Sequence, residues 1–208
     1  MNRALSIAVI VIVGGLLAVV APLSKTARIK QEVQAPIVET PVLSETSHTY
    51  HDDMYGVSFT YGSEFVVQQV KEGDQWRNNS SQSGVRLFTL LLPRTFQPST
   101  NFSNAIITVG VSTDKTAVNN CLVAQNGESP LPIPPQGFTG FMLGDAGAGN
   151  YYETISYRAI KNGTCIAVEQ IVHSTNIENY DPDQGIKVFD SGLVNRTLGA
   201  VMDTLSLE

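Results

Sequence analysis

Two long segments in which apolar and polar residues alternate flank Lys161-Asn162-Gly163, and they constrain the fold more than any other feature. The segments are residues 150–160 and 164–173. Asn-Gly supplies the positive φ angles that a two-residue type I′ turn requires. Period-two alternation places every second side chain on one face of a strand. The sequence therefore predicts an antiparallel β-hairpin here.

Period-two patterns also predict strands earlier in the chain. Val57, Phe59 and Tyr61 share one face of a predicted strand, after which Gly62-Ser63 turns the chain. Further strands are predicted at 65–70, which returns beside the first strand, and at 84–92, 104–111 and 138–143.

Two loops and a short helix separate these strands. Asp114 is placed to cap a helix that runs to Cys121. Four prolines in residues 126–137 predict an extended surface segment without a hydrogen-bonded ladder. Gly144, Gly147 and Gly149 lack the dinucleotide-binding order and precede a strand, so a flexible hairpin loop is predicted there.

Near the C-terminus, apolar residues recur at the three- and four-residue spacing of an amphipathic helix. They are Ile186, Phe189, Leu193, Val194, Leu198, Val201, Met202 and Leu205. Strands followed by a terminal helix that packs on one face predict an α+β fold, with an antiparallel β-sheet packed against helices.

The N-terminal segment, residues 1–24, is predicted to be a signal anchor. Residues 4–23 carry no charge and are long enough to cross a bilayer core, which needs roughly 20 apolar residues. Pro22 disfavours cleavage after Ala21, so we favour an uncleaved anchor. A secreted protein, formed if the segment is cleaved, stays open as an alternative.

A flexible tether at 25–48 and a single globular α+β domain at 49–208 are predicted to follow. Lys25, Arg28 and Lys30 follow the apolar segment, and the positive-inside rule alone would keep that side in the cytoplasm. We nevertheless expect the domain outside the cytoplasm, in a periplasm or at a cell surface. The short head before the segment is typical of a signal anchor, and the cysteines fit export.

Charge excludes one class of partner. The chain has 13 Lys+Arg against 19 Asp+Glu, which gives a net charge of −6. Nucleic-acid binding needs a basic face that displaces counterions, so no nucleic-acid partner is expected.

Cys121 and Cys165 are the two cysteines of the chain and lie 44 positions apart. In an exported protein two free thiols would be liabilities, so a disulfide between them is expected. The spacing is not the C-x-x-C of a redox motif.

Acidic and histidine clusters suggest two metal sites, both of which have an ordinary structural interpretation. His48 and His51 precede Asp52 and Asp53, but this cluster is best interpreted as a solvated polar segment. Asp181 and Asp183 open a sequence similar to a calcium loop, which lacks the distal Glu, so a turn into the last helix is favoured.

The sequence contains neither the G-x-S-x-G motif of serine hydrolases nor the H-E-x-x-H motif of zinc proteases. The carboxylates of Asp145, Glu153 and Glu169 could still meet in space. His173 has no partner fixed by sequence and is interpreted as structural.

The segment Tyr55-Gly56-Val57-Ser58-Phe59-Thr60-Tyr61, followed by Phe65, resembles the opening of membrane-anchored bacterial proteins related to PsbP and DcrB. Gly62 stands where that family usually has Pro. The resemblance covers residues 50–112 and 186–206. It implies an antiparallel sheet closed by a terminal helix, and a non-enzymatic extracytoplasmic role without catalytic residues.

Together these observations predict a membrane-anchored, extracytoplasmic binding or accessory domain without catalytic activity. Its partner is expected to be an envelope protein or a small ligand, bound at the sheet face and the loops around 126–150. No cofactor is expected. A cell-envelope hydrolase that uses carboxylates and a calcium-dependent adhesion module remain as alternatives.

Overall fold

The computed structural model describes residues 46–71 and 84–208, which contain ten strands and two α-helices. In chain order these are β1 (Ser47–Asp52), β2 (Val57–Gly62), β3 (Val66–Gln68), β4 (Val85–Leu92), β5 (Phe102–Ser112), α1 (Lys115–Asn120), β6 (Ser129–Pro130), β7 (Thr139–Gly147), β8 (Asn150–Lys161), β9 (Thr164–Thr175), α2 (Ser191–Met202) and β10 (Ser206–Leu207).

The strands form two sheets. A three-stranded sheet has the order β1-β2-β10, and a seven-stranded sheet has the order β3-β4-β5-β9-β8-β7-β6. Each pair of neighbouring strands is antiparallel. The predicted architecture, mainly an antiparallel sheet with few helices, is therefore confirmed at this level.

The main core joins the larger sheet to the smaller sheet and to α2. Its buried side chains include Phe59 from β2, Ile107 from β5, Val168 from β9 and Leu198 from α2. On β5 and β9 they recur at every second residue, because successive side chains of a strand point to opposite faces. The opposite face of the larger sheet is therefore left to be covered by another part of the chain.

The hairpin around Asn162-Gly163 is confirmed. Asn162 and Gly163 have φ angles of 50° and 75°, which are the positive values that the turn requires. The ladder between β8 and β9 runs without interruption from Lys161↔Thr164 to Asn150↔Thr175.

The predicted return of residues 65–70 beside the first strand is wrong. β3 pairs with β4 in the larger sheet, whereas β2 lies between β1 and β10. The turn after Gly62 therefore passes the chain from one sheet to the other. Local alternation identifies strands but does not identify their partners, which depend on distant segments.

Two loop predictions are also corrected. Ser129 and Pro130 form β6 and pair with Met142 and Phe141, so the proline-rich segment does contribute a short ladder. Proline is tolerated there because β6 is an edge strand. The glycine-rich segment is not a loop: β7 continues to Gly147, and only a two-residue turn precedes β8.

Both predicted helices are present, with shorter bounds for the second. Asp114 caps α1, since its carboxylate accepts hydrogen bonds from the N–H groups of Thr116 and Ala117. Asp190 caps α2 by accepting from Leu193 N at 2.9 Å. β1 begins at Ser47, so it includes the last two residues, 47 and 48, of the predicted tether.

The predicted anchor at 1–24 and most of the tether lie outside the described residues. Among residues 46–71 and 84–208, no helix is both long and apolar enough to span a bilayer.

Candidate functional site

A groove lies between the β7–β8 hairpin and α2. Its floor consists of alternate residues of three neighbouring strands, and its centre is the row in which Gly144 of β7 faces Glu153 of β8 and Glu153 faces Val172 of β9. Strand alternation turns this row towards the helix. The other groove residues lie in the rows before and after it.

The wall of the groove is the exposed side of α2 together with Phe189, which precedes it. Gln97 holds the start of this helix: its side-chain amide donates to Asp190 O at 2.8 Å and accepts from Asp190 N at 2.7 Å. Asn101 accepts from Phe189 N at 2.9 Å. These contacts come from segments far away in sequence and fix the groove's width.

Two adjoining cavities make up the groove, with volumes of about 470 Å³ and about 250 Å³. Gly144, Glu153 and Val172 line both of them. The smaller cavity continues towards Met142, Ile155, Gln170, Asn195 and Leu198, and the larger one towards Ala146, Tyr151, Ser174, Phe189 and Ser191. The lining is mainly apolar with a few polar groups, which is typical of ligand-binding sites.

Glu153 carries the charge at the centre of the groove. It is exposed and lacks an ion-pair partner in the part of the chain that the structure describes. A β-carbon added at Gly144, directly opposite, would meet no atom within 4 Å. The groove therefore has open space beside an uncompensated carboxylate, and it favours cationic groups.

The three acids considered for hydrolysis do not converge on one face of the sheet. Asp145 and Glu153 both line the larger cavity, but Asp145 follows Gly144 on β7, so strand alternation directs its side chain to the face opposite to α2. Glu169 also lies on that other face, because it pairs with Ser156. Its carboxylate is buried and accepts from Ser156 Oγ at 3.2 Å.

A series of buried, hydrogen-bonded polar side chains lies on the face of the sheet opposite to the groove. It joins this face to the segment around β6. Arg158, which is 1% exposed, donates from Nε to Ser156 Oγ at 2.9 Å and from both terminal nitrogens to Glu128. Its guanidinium also lies 4.7 Å from the ring centre of Phe141. These contacts fix a buried charge pair in place, and they leave no solvent access for catalysis.

A disulfide joins Cys121 and Cys165, which is the pairing expected from the sequence, and both residues are fully buried. It attaches the end of α1 to β9. The disulfide and the Glu128–Arg158 pair together hold residues 113–138 against the face of the sheet opposite to the groove.

His173 and the candidate calcium ligands Asp181 and Asp183 form hydrogen bonds with neighbouring residues of the protein. His173 donates from Nε2 to Asn150 Oδ1 at 2.9 Å and stacks on Tyr152, and burial lowers the pKa of His173. Asp181 accepts from Asp183 N at 3.2 Å and so caps a short turn. In the described ranges, no three potential metal ligands lie together.

His48 and His51 lie on the exposed strand β1. His51 contacts Asp53 at 3.0 Å, and His48 stacks on Tyr61. The sequence does not predict the groove, although Glu153 is among the candidate acids and the loops around 126–150 are part of the predicted binding surface. Its position depends on α2 packing beside β8, which no local pattern encodes.

No family model matches this chain, and no curated protein matches it. Solved structures with distant similarity to this chain include the following two. One is a crystal structure of a protein from Bacteroides thetaiotaomicron, with a TM-score of 0.37 and 14% identity over 73% of this chain; the alignment spans 45% of that protein. The other is the solution structure of cyanobacterial PsbP (CyanoP) from Synechocystis sp., with a TM-score of 0.39 and 10% identity over 78% of this chain and 93% of that one. Neither protein's function transfers to this chain.

Proposed function

We propose that this chain is a membrane-anchored binding protein that displays its domain outside the cytoplasm and holds a ligand in the groove between the β7–β8 hairpin and α2. The observation that carries the proposal is the groove itself, with the unpaired carboxylate of Glu153 at its centre. The PsbP-like resemblance of residues 55–61 is in keeping with an accessory role.

A binding role is favoured over hydrolysis by the arrangement of acids. Glycoside hydrolysis, for example, uses two carboxyl groups that flank one bond. Glu153 has neither Asp145 nor Glu169 on its face of the sheet. Glu153 orients a ligand by charge in a mainly apolar groove, and strand alternation directs the side chain of Asp145, the other acid that lines the larger cavity, away from it.

The extracytoplasmic location is supported by the Cys121–Cys165 bridge. Disulfides persist in oxidising compartments and are rare in the reducing cytosol. Acid-quenched and denatured extracts of the expressing cells, treated with a maleimide with and without prior reduction, test this location, because denaturation exposes the two buried cysteines. We expect both cysteines to be labelled only after reduction, whereas two free thiols without reduction would place the domain in the cytoplasm.

Binding at the groove is tested by filling it. Gly144→Trp puts a large ring into the open space opposite Glu153, whereas Met54→Trp puts the same ring into the exposed turn between β1 and β2. The native chain and both variants are purified in mild detergent from envelopes of the expressing cells, and bound molecules are identified by native mass spectrometry.

We expect the native chain and Met54→Trp to carry the same ligand and Gly144→Trp to lose it. If all three proteins carry the same set of molecules, or none carries any, the groove is not the binding site. Circular dichroism of the three proteins shows whether each remains folded.

A further inference from the structure

The outer edge of β7 is only partly covered. β6 pairs with Phe141 and Met142, and Leu131 N donates to Gly140 O at 2.8 Å. From Leu143 to Gly147, no strand of the described ranges lies on the outer side of β7. This uncovered edge borders the groove, since Gly144 belongs to both.

Hydrogen-bond alternation identifies the groups that this edge presents. In an antiparallel strand, the N–H and C=O of every second residue point to the same neighbour. Gly140 points outwards to β6, so Met142, Gly144 and Ala146 also point outwards. Ala146 N–H is already occupied, because it donates to Asp145 Oδ1 at 2.8 Å. Gly144 is left with both an N–H donor and a C=O acceptor for an incoming strand.

Three of the usual protections of an edge strand, namely Lys, Pro and a β-bulge, are missing here. Proteins block such edges with Lys, Pro, bulges or a covering element. Leu143 to Gly147 contains neither Lys nor Pro, and its register with β8 is regular. Glycine at 144 also lets another backbone approach closely.

The chemistry of the incoming strand follows from the groove. A residue beside Gly144 that points towards α2 lies next to Glu153, the unpaired carboxylate. Its neighbour two positions away, towards Gly147, faces the Ala146 row, which is mainly apolar, whereas Ser129 of β6 already occupies the position beside Met142. A Lys or Arg with an apolar residue two positions away is therefore complementary.

A second copy of the chain is the less suitable occupant. Antiparallel pairing of two β7 edges about Gly144 would bring Asp145 and Glu153 of both copies close together at the new strand pair. The chain's net charge of −6 adds to that repulsion.

We propose that the edge of β7 from Leu143 to Gly147 binds an extended cationic peptide as an added strand, with its Lys or Arg side chain beside Glu153. The proposal rests on the proposed function, because it takes the groove as the ligand site and names the ligand class. Main-chain hydrogen bonds supply affinity, and alternate side chains supply specificity, as in other cases of strand addition.

The test uses the full chain in detergent micelles and a displayed library of random peptides of about nine residues, long enough for one strand. Gly144→Pro removes the outward N–H but leaves the β7–β8 ladder intact, since that N–H does not face β8. Gly144→Val is the matched control, because it adds similar bulk and keeps the N–H. Glu153→Gln removes the charge.

We expect selection to enrich peptides with Lys or Arg two positions from an apolar residue. Their affinity should fall about five- to tenfold in Gly144→Pro relative to Gly144→Val, the cost of losing one hydrogen bond. Glu153→Gln should lower it about two- to fivefold and weaken the preference for cationic residues.

The inference is overturned if no peptides are enriched, if the enriched peptides lack cations, or if Gly144→Pro binds them as well as Gly144→Val does. Loss of the ligand in Gly144→Trp together with any of these results would leave the binding groove standing and remove only the strand-addition mode. Self-association of the chain through this edge, seen by analytical ultracentrifugation and abolished in Gly144→Pro, would also overturn it.

Discussion

Removing one partner of the buried Glu128–Arg158 pair should destabilise the domain far more than removing both. The two side chains are 4% and 1% exposed, and Arg158 makes hydrogen bonds through all three nitrogens of its guanidinium, to Glu128 and Ser156. Glu128→Leu leaves that guanidinium buried without the carboxylate with which it forms its ion pair. Losing one member of a buried pair costs about 3–5 kcal/mol, a large share of a typical stability of about 5–15 kcal/mol.

The double variant Glu128→Leu/Arg158→Met replaces the pair by apolar side chains. An apolar replacement of a buried ion pair is often close to neutral, so the double variant should be more stable than either single variant. The coupling free energy is the difference between the effect of the double variant and the sum of the two single effects. It should amount to several kcal/mol, above the usual range of about 0.5–3 kcal/mol for residues in contact.

Urea denaturation of the four proteins, followed by circular dichroism, measures these free energies of unfolding. Asp53→Asn, which breaks the exposed His51–Asp53 contact, is the matched control and should leave stability unchanged. Additive single effects, or single losses below about 1 kcal/mol, would refute the reasoning that the pair is buried and mutually compensating.

Three further perturbations have defined outcomes. Replacing Cys121 and Cys165 by serine should lower the free energy of unfolding by about 4 kcal/mol, from the closure of a 44-residue loop, measured by urea denaturation against the oxidised chain. Asp190→Ala, which removes the cap of α2, should cost about 0.5–2 kcal/mol and lower the thermal midpoint, while Asp190→Asn should retain most of the stability. Burial lowers the pKa of His173, so the unfolded chain binds its proton more readily; stability should fall as the pH drops below about 6.5, and His173→Gln should flatten that dependence.

Features that depend on neighbouring residues could be predicted from the sequence. The β8–β9 hairpin follows from Asn162-Gly163 and the alternating segments beside it, and the cap of α1 follows from Asp114. In both cases the controlling interaction spans only a few residues. Such interactions are encoded locally and form independently of how distant segments pack.

Features that depend on distant segments could not be predicted. β2 pairs with β10, almost 150 residues away, instead of with its neighbour β3. Arg158 and Glu128 are charged residues that composition alone would place at the surface, but they are buried because each compensates the other. The groove has the same origin, since Gln97 and Asn101 fix the start of α2 beside a hairpin that follows much later in the chain.

Hydrogen–deuterium exchange of the chain, with and without the ligand recovered from its envelope, tests the role of the groove most directly. The ligand should slow exchange within residues 142–155 and 189–198, with Gly144 among the most protected amides, and leave β1 and β3 unchanged. Protection confined to segments outside those two ranges, or no protection at all, would contradict the assignment of ligand binding to this groove.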